Sequence, residues 1–299
     1  THLLYDSVRG VGKQIYSDQN VAEYTNLNNL YSFNHNGFSL GQSGSDDVTN
    51  KSGDNFVAWC WKAGGAAVTN NDGSISSQVS VNREAGFSIV KYTGNESNAT
   101  VGHGLGVEPD HIIFKETSSG SNWYNYVRTL GANKSLRLSQ TSAAATDSKF
   151  QNTHPTSSVF YLNDDTATNQ NGESMIAYCW TEIPGFSKIG SYVGNGNSDG
   201  PYFYCGFRPA WILLKRDDGT APWRIFDSKR PEYNGNTYKL QANDTTVEAT
   251  SAQYLDFLSN GFKVRDNGSY INASSADYIF MAFAEQIGDS PYSTETNAR

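Results

Sequence analysis

The sequence predicts an all-β protein built from tandem antiparallel β-sandwich units, jelly-roll-like and about 100 residues long. Its apolar residues fall in short, often alternating blocks broken by Gly, Asn, Asp and Ser, the pattern of strands and turns. The composition agrees, with 28 Gly, 18 Tyr and 15 Phe but only 2 Met. Closely spaced strands without intervening amphipathic helices favour antiparallel sandwiches over a parallel sheet.

The repeats are identified by one sequence segment that occurs three times, which we call the recurring phrase. It reads GDNFVAWCWKAGG from residue 53, GESMIAYCWTEIPG from residue 172 and, less clearly, ADYIFMAFAEQIG from residue 276. Its surroundings recur as well, since Phe87 and Phe186 lie about 100 residues apart, as do Trp123 and Trp223. A pattern that carries its neighbours in fixed order indicates a repeated structural unit.

The repeats divide the chain into five parts. Residues 1–63 are a partial first unit, 64–85 a linker hairpin, 86–184 the second unit, 185–288 the third unit and 289–299 a polar tail. The first unit lacks the front half that the other two possess, and Thr1 falls in the middle of a unit. We therefore expect a piece of a longer polypeptide. The alternative is that the first unit borrows its missing strands from another subunit.

Each landmark predicts a local structure. In the first unit, LNNLYSFNHNGFSLG matches AQYLDFLSNGFKVR of the third, and both contain an Asn-Gly-Phe turn. In the second unit, residues 112–114 suit an interior strand followed by a hairpin loop, which the third unit repeats with Asp218-Gly219. The recurring phrase itself is predicted to be a central strand. Its large residues, such as Trp59 and Trp61, face a core, and small ones, such as Cys60, lie under a neighbouring layer.

Cysteine usage argues against a disulfide framework. Cys60 and Cys179 occupy the same place in the recurring phrase, and the third copy has Ala282 there. A place that accepts either Cys or Ala is a small buried packing position. Cys205 is left without an obvious partner, so no structural disulfide is expected.

Charge and hydropathy exclude several partners. The chain has 299 residues, a net charge of −8 and a pI near 5.1. Nucleic-acid binding through phosphates needs clustered Lys and Arg, which are absent here, so no such partner is expected. The longest apolar runs are far shorter than the roughly 20 residues of a spanning helix, so no membrane insertion is expected.

The search for chemistry finds no catalytic, cofactor or metal-binding motif, and we predict no enzyme activity, no cofactor and no metal. Asp6 and Asp227 resemble an acid pair for glycoside cleavage, which would have to face one another across a substrate. They occupy equivalent positions in different units, each three residues before an arginine, so a turn-stabilising role is preferred. His103, between glycines, is interpreted as a turn residue in preference to a ligand-binding one.

The candidate binding residues are Tyr202, Tyr204 and Trp211, in GPYFYCGFRPAW. The repeated tryptophans are assigned to cores because they recur at strand positions. These three residues have no aromatic counterparts in the second unit, where the sequence reads ATVGHGLGVEPD. Exposed flat rings stack on sugar rings, so the three are expected to line a binding surface.

The order of motifs resembles a known family. GSYVGNGNSDGP, GFRPAWILLKR and YIFMAFAE carry the resemblance most specifically, and it spans nearly the whole chain. The chain is similar to the repeat domain of tail-fibre-like virion structural proteins of marine bacteriophages, of the cyanophage and pelagiphage type. The resemblance implies a component of the extracellular phage particle, with no catalytic residue carried over.

From that resemblance we expect a fibre or other appendage with self-association, as a homotrimer, beside other virion proteins. Adhesion to host-surface glycans is the expected task. A tail-associated polysaccharide-degrading enzyme is one alternative and would need two facing carboxylates. A free lectin-like module is the other, and it would be monomeric.

Overall fold

The computed structural model describes residues 2–41, 48–231, 233–250 and 253–285. In these ranges the chain forms short strands, one single-turn α-helix and one 3-10 turn. The sheets are antiparallel, so the predicted all-β fold class is confirmed. The predicted polar tail, residues 289–299, lies outside the described residues, as do the last residues of the third unit.

The strands follow the order of the repeat. Those of the first unit are β1 (Leu3–Leu4), β2 (Lys13–Tyr16), β3 (Tyr24–Thr25), β4 (Leu30–Asn34) and β5 (Gly37–Leu40). The hairpin between units consists of β6 (Val68–Asn70) and β7 (Ser77–Asn82). The second unit holds β8 (Phe87–Thr93), β9 (Ala99–Gly102), β10 (His111–Glu116), β11 (Tyr124–Val127), the 3-10 turn (Arg128–Leu130), β12 (Lys134–Arg137), β13 (Ala145–Thr146), β14 (Val159–Leu162), α1 (Thr166–Asn169) and β15 (Ser174–Trp180). The third holds β16 (Ser187–Val193), β17 (Tyr202–Tyr204), β18 (Trp211–Arg216), β19 (Arg224–Asp227), β20 (Leu240–Gln241), β21 (Leu255–Leu258), β22 (Gly261–Val264) and β23 (Asp277–Phe283).

The second and third units share one two-layered design. A main sheet runs β16-β23-β18-β19-β20 in the third unit, and β8-β15-β10-β11-β12 occupies the same order in the second. A smaller cover sheet lies over it, β17-β22-β21 in the third unit and β9-β14 in the second. In the second unit β7 pairs with β8, so β6 and β7 extend the main sheet on one side. Each pair of layers encloses its own apolar core.

The recurring phrase is the central strand in these two units, as predicted. β15 pairs with β8 on one side and β10 on the other, and β23 pairs with β16 and β18. Tyr178 and Trp180 face a core shared between units, whereas Cys179 faces the core under the cover sheet. Large and small residues therefore occupy opposite faces because successive strand side chains alternate.

The prediction of a central strand is wrong for the first copy of the phrase. Residues 54–63 form no strand, and Cys60, predicted to be buried, is exposed. The reason is the absence, from the described residues, of first-unit strands equivalent to β16 and β18, which would pair with it on both sides. Trp59 and Trp61 still pack into the shared core, as edge-on ring contacts of Trp61 with Trp180 and Trp211 show.

The three units close into a ring around the shared core. The strand register makes His2, Trp123 and Trp223 equivalent residues, each directly before β1, β11 or β19. Each reaches a backbone carbonyl of a different unit. Trp123 donates to the Tyr16 oxygen at 2.8 Å, Trp223 to the Arg137 oxygen at 2.9 Å, and His2 Nε2 lies 2.8 Å from the Asp244 oxygen. The second unit thus contacts the first, the third contacts the second, and the first contacts the third.

Candidate functional site

The outer face of the third unit's cover sheet carries two neighbouring tyrosines. Alternation along β17 turns Phe203 inward, where its ring centroid lies 4.5 Å from that of Tyr192 and 5.0 Å from that of Phe262. Tyr202 and Tyr204 consequently face outward and are 42% and 66% exposed. The inward phenylalanine anchors a strand of three residues, so the two outward rings are held on a fixed backbone.

Glycines and one asparagine set the position of the two rings. A Cβ at Gly261 would lie 3.2 Å from Tyr202 Cε2, so the Tyr202 ring lies against this bare backbone. The Tyr202 hydroxyl donates to Asn260 Oδ1 at 2.8 Å. Gly206, at φ +81°, makes a turn that brings its backbone close to the Tyr204 ring. Partial desolvation, with smaller effects of Cys205 and Tyr204, raises the pKa of Tyr202, so its ring is uncharged at neutral pH.

A charged rim borders Tyr202. Register places Lys263 of β22 directly opposite Tyr202, and Asp256 of β21 opposite Lys263, so the three share one face. Asp199, at the entrance to β17, accepts from Lys263 Nζ at 2.9 Å and from Arg265 Nη1 at 3.2 Å. The hydrogen bond from Lys263 and the two nearby cations lower the pKa of Asp199, which is therefore ionised at neutral pH. We call Tyr202, Tyr204, Lys263, Arg265, Asp199 and Asp256 the tyrosine face.

The structure separates the third predicted binding residue from this face. Trp211 begins β18 in the main sheet, and its ring lies 5.0 Å from Trp61 and 5.8 Å from Phe283, centroid to centroid. It belongs to the shared core, not to an outer surface. In the second unit, register puts Thr100 and Gly102 where the third has Tyr202 and Tyr204. The aromatic pair is therefore a feature of the third unit alone among the two complete units.

Asp6 and Asp227, which resemble an acid pair in the sequence, do not face each other across a common site. Asp6 accepts from the backbone amides of Val8 and Arg9 and forms a buried ion pair with Arg9, and Asp227 repeats this arrangement with Arg230. These are the predicted turn-stabilising roles. Each carboxylate is already occupied by its own arginine, which leaves no arrangement for acid and base on a shared substrate.

Both carboxylates also reach into the next unit. Asp6 accepts from the Tyr178 hydroxyl at 2.7 Å and Asp227 from Trp59 Nε1 at 3.2 Å, and Trp59 is the first-unit equivalent of Tyr178. At the third junction the same two places hold Val127 and Met281, both in the shared core. These two places therefore hold side chains that hydrogen-bond to each other at two junctions, and two apolar side chains at the third. This matching marks the acid pair as part of the contacts between units.

The remaining candidates are structural. His103, interpreted from the sequence as a turn residue, is fully buried, with Nε2 3.1 Å from the Thr156 carbonyl oxygen and Nδ1 accepting from the Leu105 amide. Cys60, Cys179 and Cys205 are free thiols. Within the ranges that the structure describes, no His, Cys, Asp and Glu side chains are grouped so as to hold a metal ion. The same residues include no helix with the length and apolar character that a membrane span requires.

Comparison with known proteins gives one match. Residues 1–287 match a domain of unknown function, DUF7483. No curated protein and no solved structure matches the chain. The match covers all three units together, so it treats them as one domain.

Proposed function

We propose that this chain, which belongs to the DUF7483 family, is a structural component of a phage particle whose tyrosine face binds glycans on the host surface. The motif order that resembles tail-fibre-like virion proteins supports the setting, on the outside of the particle. The observation that supports glycan binding is the exposure of Tyr202 and Tyr204 on one rigid strand.

The chemistry of the tyrosine face suits a sugar. Exposed tyrosine rings combine a flat apolar surface with a polar tip, and an uncharged pyranose presents the same combination of apolar C–H faces and hydroxyls. Asp199 accepts hydrogen bonds, while Lys263 and Arg265 donate them, within one patch next to Tyr202. The two rings would stack on the ligand, and the charged rim would bind its hydroxyl or acidic groups.

Titration calorimetry with a panel of neutral and acidic oligosaccharides tests this function. For any oligosaccharide that the native chain binds, Tyr204→Ala should lower the affinity at least tenfold, which is equivalent to about 1.4 kcal/mol. Tyr233→Ala is the matched control, because Tyr233 is 76% exposed but lies outside the tyrosine face. Equal affinities of the native chain and Tyr204→Ala, or no binding across the panel, would contradict the proposal.

We further propose that the chain self-associates as a homotrimer beside other virion proteins. The shared core already closes around three units of one chain, so a trimer would use other surfaces. Light scattering coupled to size exclusion should give a mass near three times 32.8 kDa. A monomeric mass would contradict the trimer and favour the alternative of a lectin-like module.

A further inference from the structure

The first unit leaves an apolar face uncovered. Its hairpin β4–β5 is equivalent to β21–β22 through the shared Asn-Gly-Phe turn, and Phe33 pairs with Phe38 as Phe257 pairs with Phe262. Phe257 and Phe262 are 3% and 0% exposed, whereas Phe33 is 39% exposed and Phe38 is only half-buried. Identical side chains at equivalent positions are thus a core in the third unit and a surface in the first.

The third unit shows what covers this face when it is buried. Phe203 of β17 contacts Phe262, with 5.0 Å between ring centroids. Tyr192 of β16 and Leu214 of β18 belong to the same core. These strands, β16 to β18, are the front half of the unit, the part that precedes β19. First-unit equivalents of these strands are not among the described residues.

The recurring phrase of the first unit is uncovered in the same way. Phe56 and Val57 are 52% and 39% exposed, and residues 54–63 belong to no sheet. In the third unit the equivalent strand β23 lies between β16 and β18. Among the described residues no strand pairs with residues 54–63 on either side, and the Lys62 carbonyl oxygen accepts only from the Asn82 side chain, at 3.1 Å.

A second, separate surface points to the same missing element. At two junctions of the ring, the hairpin loop after β10 or β18 docks on the preceding unit, where Glu23 donates to the Thr117 oxygen and Ala144 to the Asp217 oxygen, each at 2.8 Å. The equivalent stretch of the third unit, residues 244–248, is exposed throughout. Val247 within it is 84% exposed. The loop that would dock there belongs to a front half of the first unit.

We propose that the first unit is a docking site for one further front half-unit, meaning three strands and a hairpin loop patterned like residues 185–222, whose first and third strands pair antiparallel with the recurring phrase. Such an element would pair with residues 54–63, cover Phe33 and Phe38, and reach Val247 with its loop. A second copy of the chain, facing the first with the same open hairpin, would leave the Val247 stretch uncovered, because its own two loops are occupied. The two uncovered surfaces together therefore favour a front half-unit as the occupant.

Cys60 provides a built-in reporter for this docking. It is exposed in the open first unit, while Cys179 and Cys205 are buried, so a thiol reagent such as dithiobis-nitrobenzoate should modify Cys60 first. Because His2 is equivalent to Trp223, and Thr1 therefore to Pro222, a copy of residues 185–221 placed directly before Thr1 continues the unit in register. In this extended chain, modification of Cys60 should be at least tenfold slower, and amides of residues 54–63 should gain protection from hydrogen exchange.

The matched control carries Tyr192→Asp and Leu214→Asp in the added copy only, which places charges where the docked strands would face the core. Cys60 should then react as in the unextended chain. An unchanged Cys60 rate in the folded extended chain would overturn the proposal. So would an unextended chain that dimerises with Cys60 protected, because the occupant would then be a second copy. Should the extended chain fail to fold, the same segment is fused to a soluble carrier and added in trans. If Cys60 modification is then no slower than without the segment, the proposal is overturned as well.

Discussion

Protonation of His111 should destabilise the protein in mild acid. His111 begins β10 with no exposed surface, its Nε2 lies 2.9 Å from Asn125 Oδ1, and its Nδ1 has no hydrogen-bond partner among the described residues. Protonation would therefore create a buried N–H without an acceptor. Burial lowers the pKa of His111 to about 4, opposed only in part by Asn125 and Asp110.

The sign and size of this change in the free energy of unfolding follow from proton linkage. The pKa is lower in the folded chain than in the unfolded one, so the unfolded chain takes up the proton first as the pH falls. The stabilising contribution of neutral His111 is complete above pH 6.5 and is lost toward pH 4. Between pH 8 and pH 5 the loss amounts to about 2 kcal/mol. His103, whose pKa burial also lowers to about 4, acts in the same direction.

Urea unfolding at pH 8 and pH 5, on the native chain and His111→Gln, isolates this contribution. Glutamine keeps a donor within reach of Asn125 but does not titrate. Burial and nearby carboxylates raise the pKa of Asp217 to about 6, so its protonation stabilises the folded chain in acid. In each protein alone this gain partly offsets the loss of stability caused by the histidines, so the two proteins are compared with each other. The native chain should lose about 2 kcal/mol more than the variant between the two pH values. Equal losses, within about 0.5 kcal/mol, would refute the reasoning.

Three further substitutions test the packing of the units. Asp6→Ala leaves the guanidinium of Arg9 buried without this carboxylate and should cost about 3–5 kcal/mol in urea unfolding, whereas a loss below about 1 kcal/mol would show that the ion pair does not stabilise the first unit. Tyr178→Phe removes one hydrogen bond to the same carboxylate and should cost about 2 kcal/mol, and no measurable loss would argue against that bond. Gly261→Ala would place a Cβ 1.8 Å from a backbone oxygen of β17 and should cost more than about 2 kcal/mol, while Gly37→Ala at the equivalent open position should stay within about 0.5 kcal/mol. The opposite order of these two glycine variants would contradict the assignment of the open first unit.

Strand alternation made much of the fold predictable. In SMIAYCW it placed Tyr178 and Trp180 opposite Cys179, and the structure confirms two different cores on the two faces. The same alternation at Val57 to Trp61 predicted a strand that does not form. A strand exists only where neighbours offer their backbone groups, and that requirement depends on distant parts of the chain.

The tyrosine face was predictable only in part. Tyr202 and Tyr204 stood out because they alternate in a segment with no aromatic counterpart in the second unit. Nearness in sequence groups Trp211 with them, although the chain passes from the cover sheet to the main sheet between residues 204 and 211. Lys263 was missed because its place opposite Tyr202 is set by register across about sixty residues, which no local pattern reveals.

The closed ring has a consequence for the order in which the chain folds during synthesis. His2 lies against Asp244, Ser17 against Ala242 and Trp59 against Asp227, which are contacts between residues 168 to 242 positions apart in the chain. At 5–20 residues per second, the first unit waits roughly ten to fifty seconds for its third-unit partners. Contacts of such separation also slow folding itself. During that interval the apolar side of the first unit is available to neighbouring nascent chains, so we expect misfolding of this protein to proceed by exchange of first units between chains.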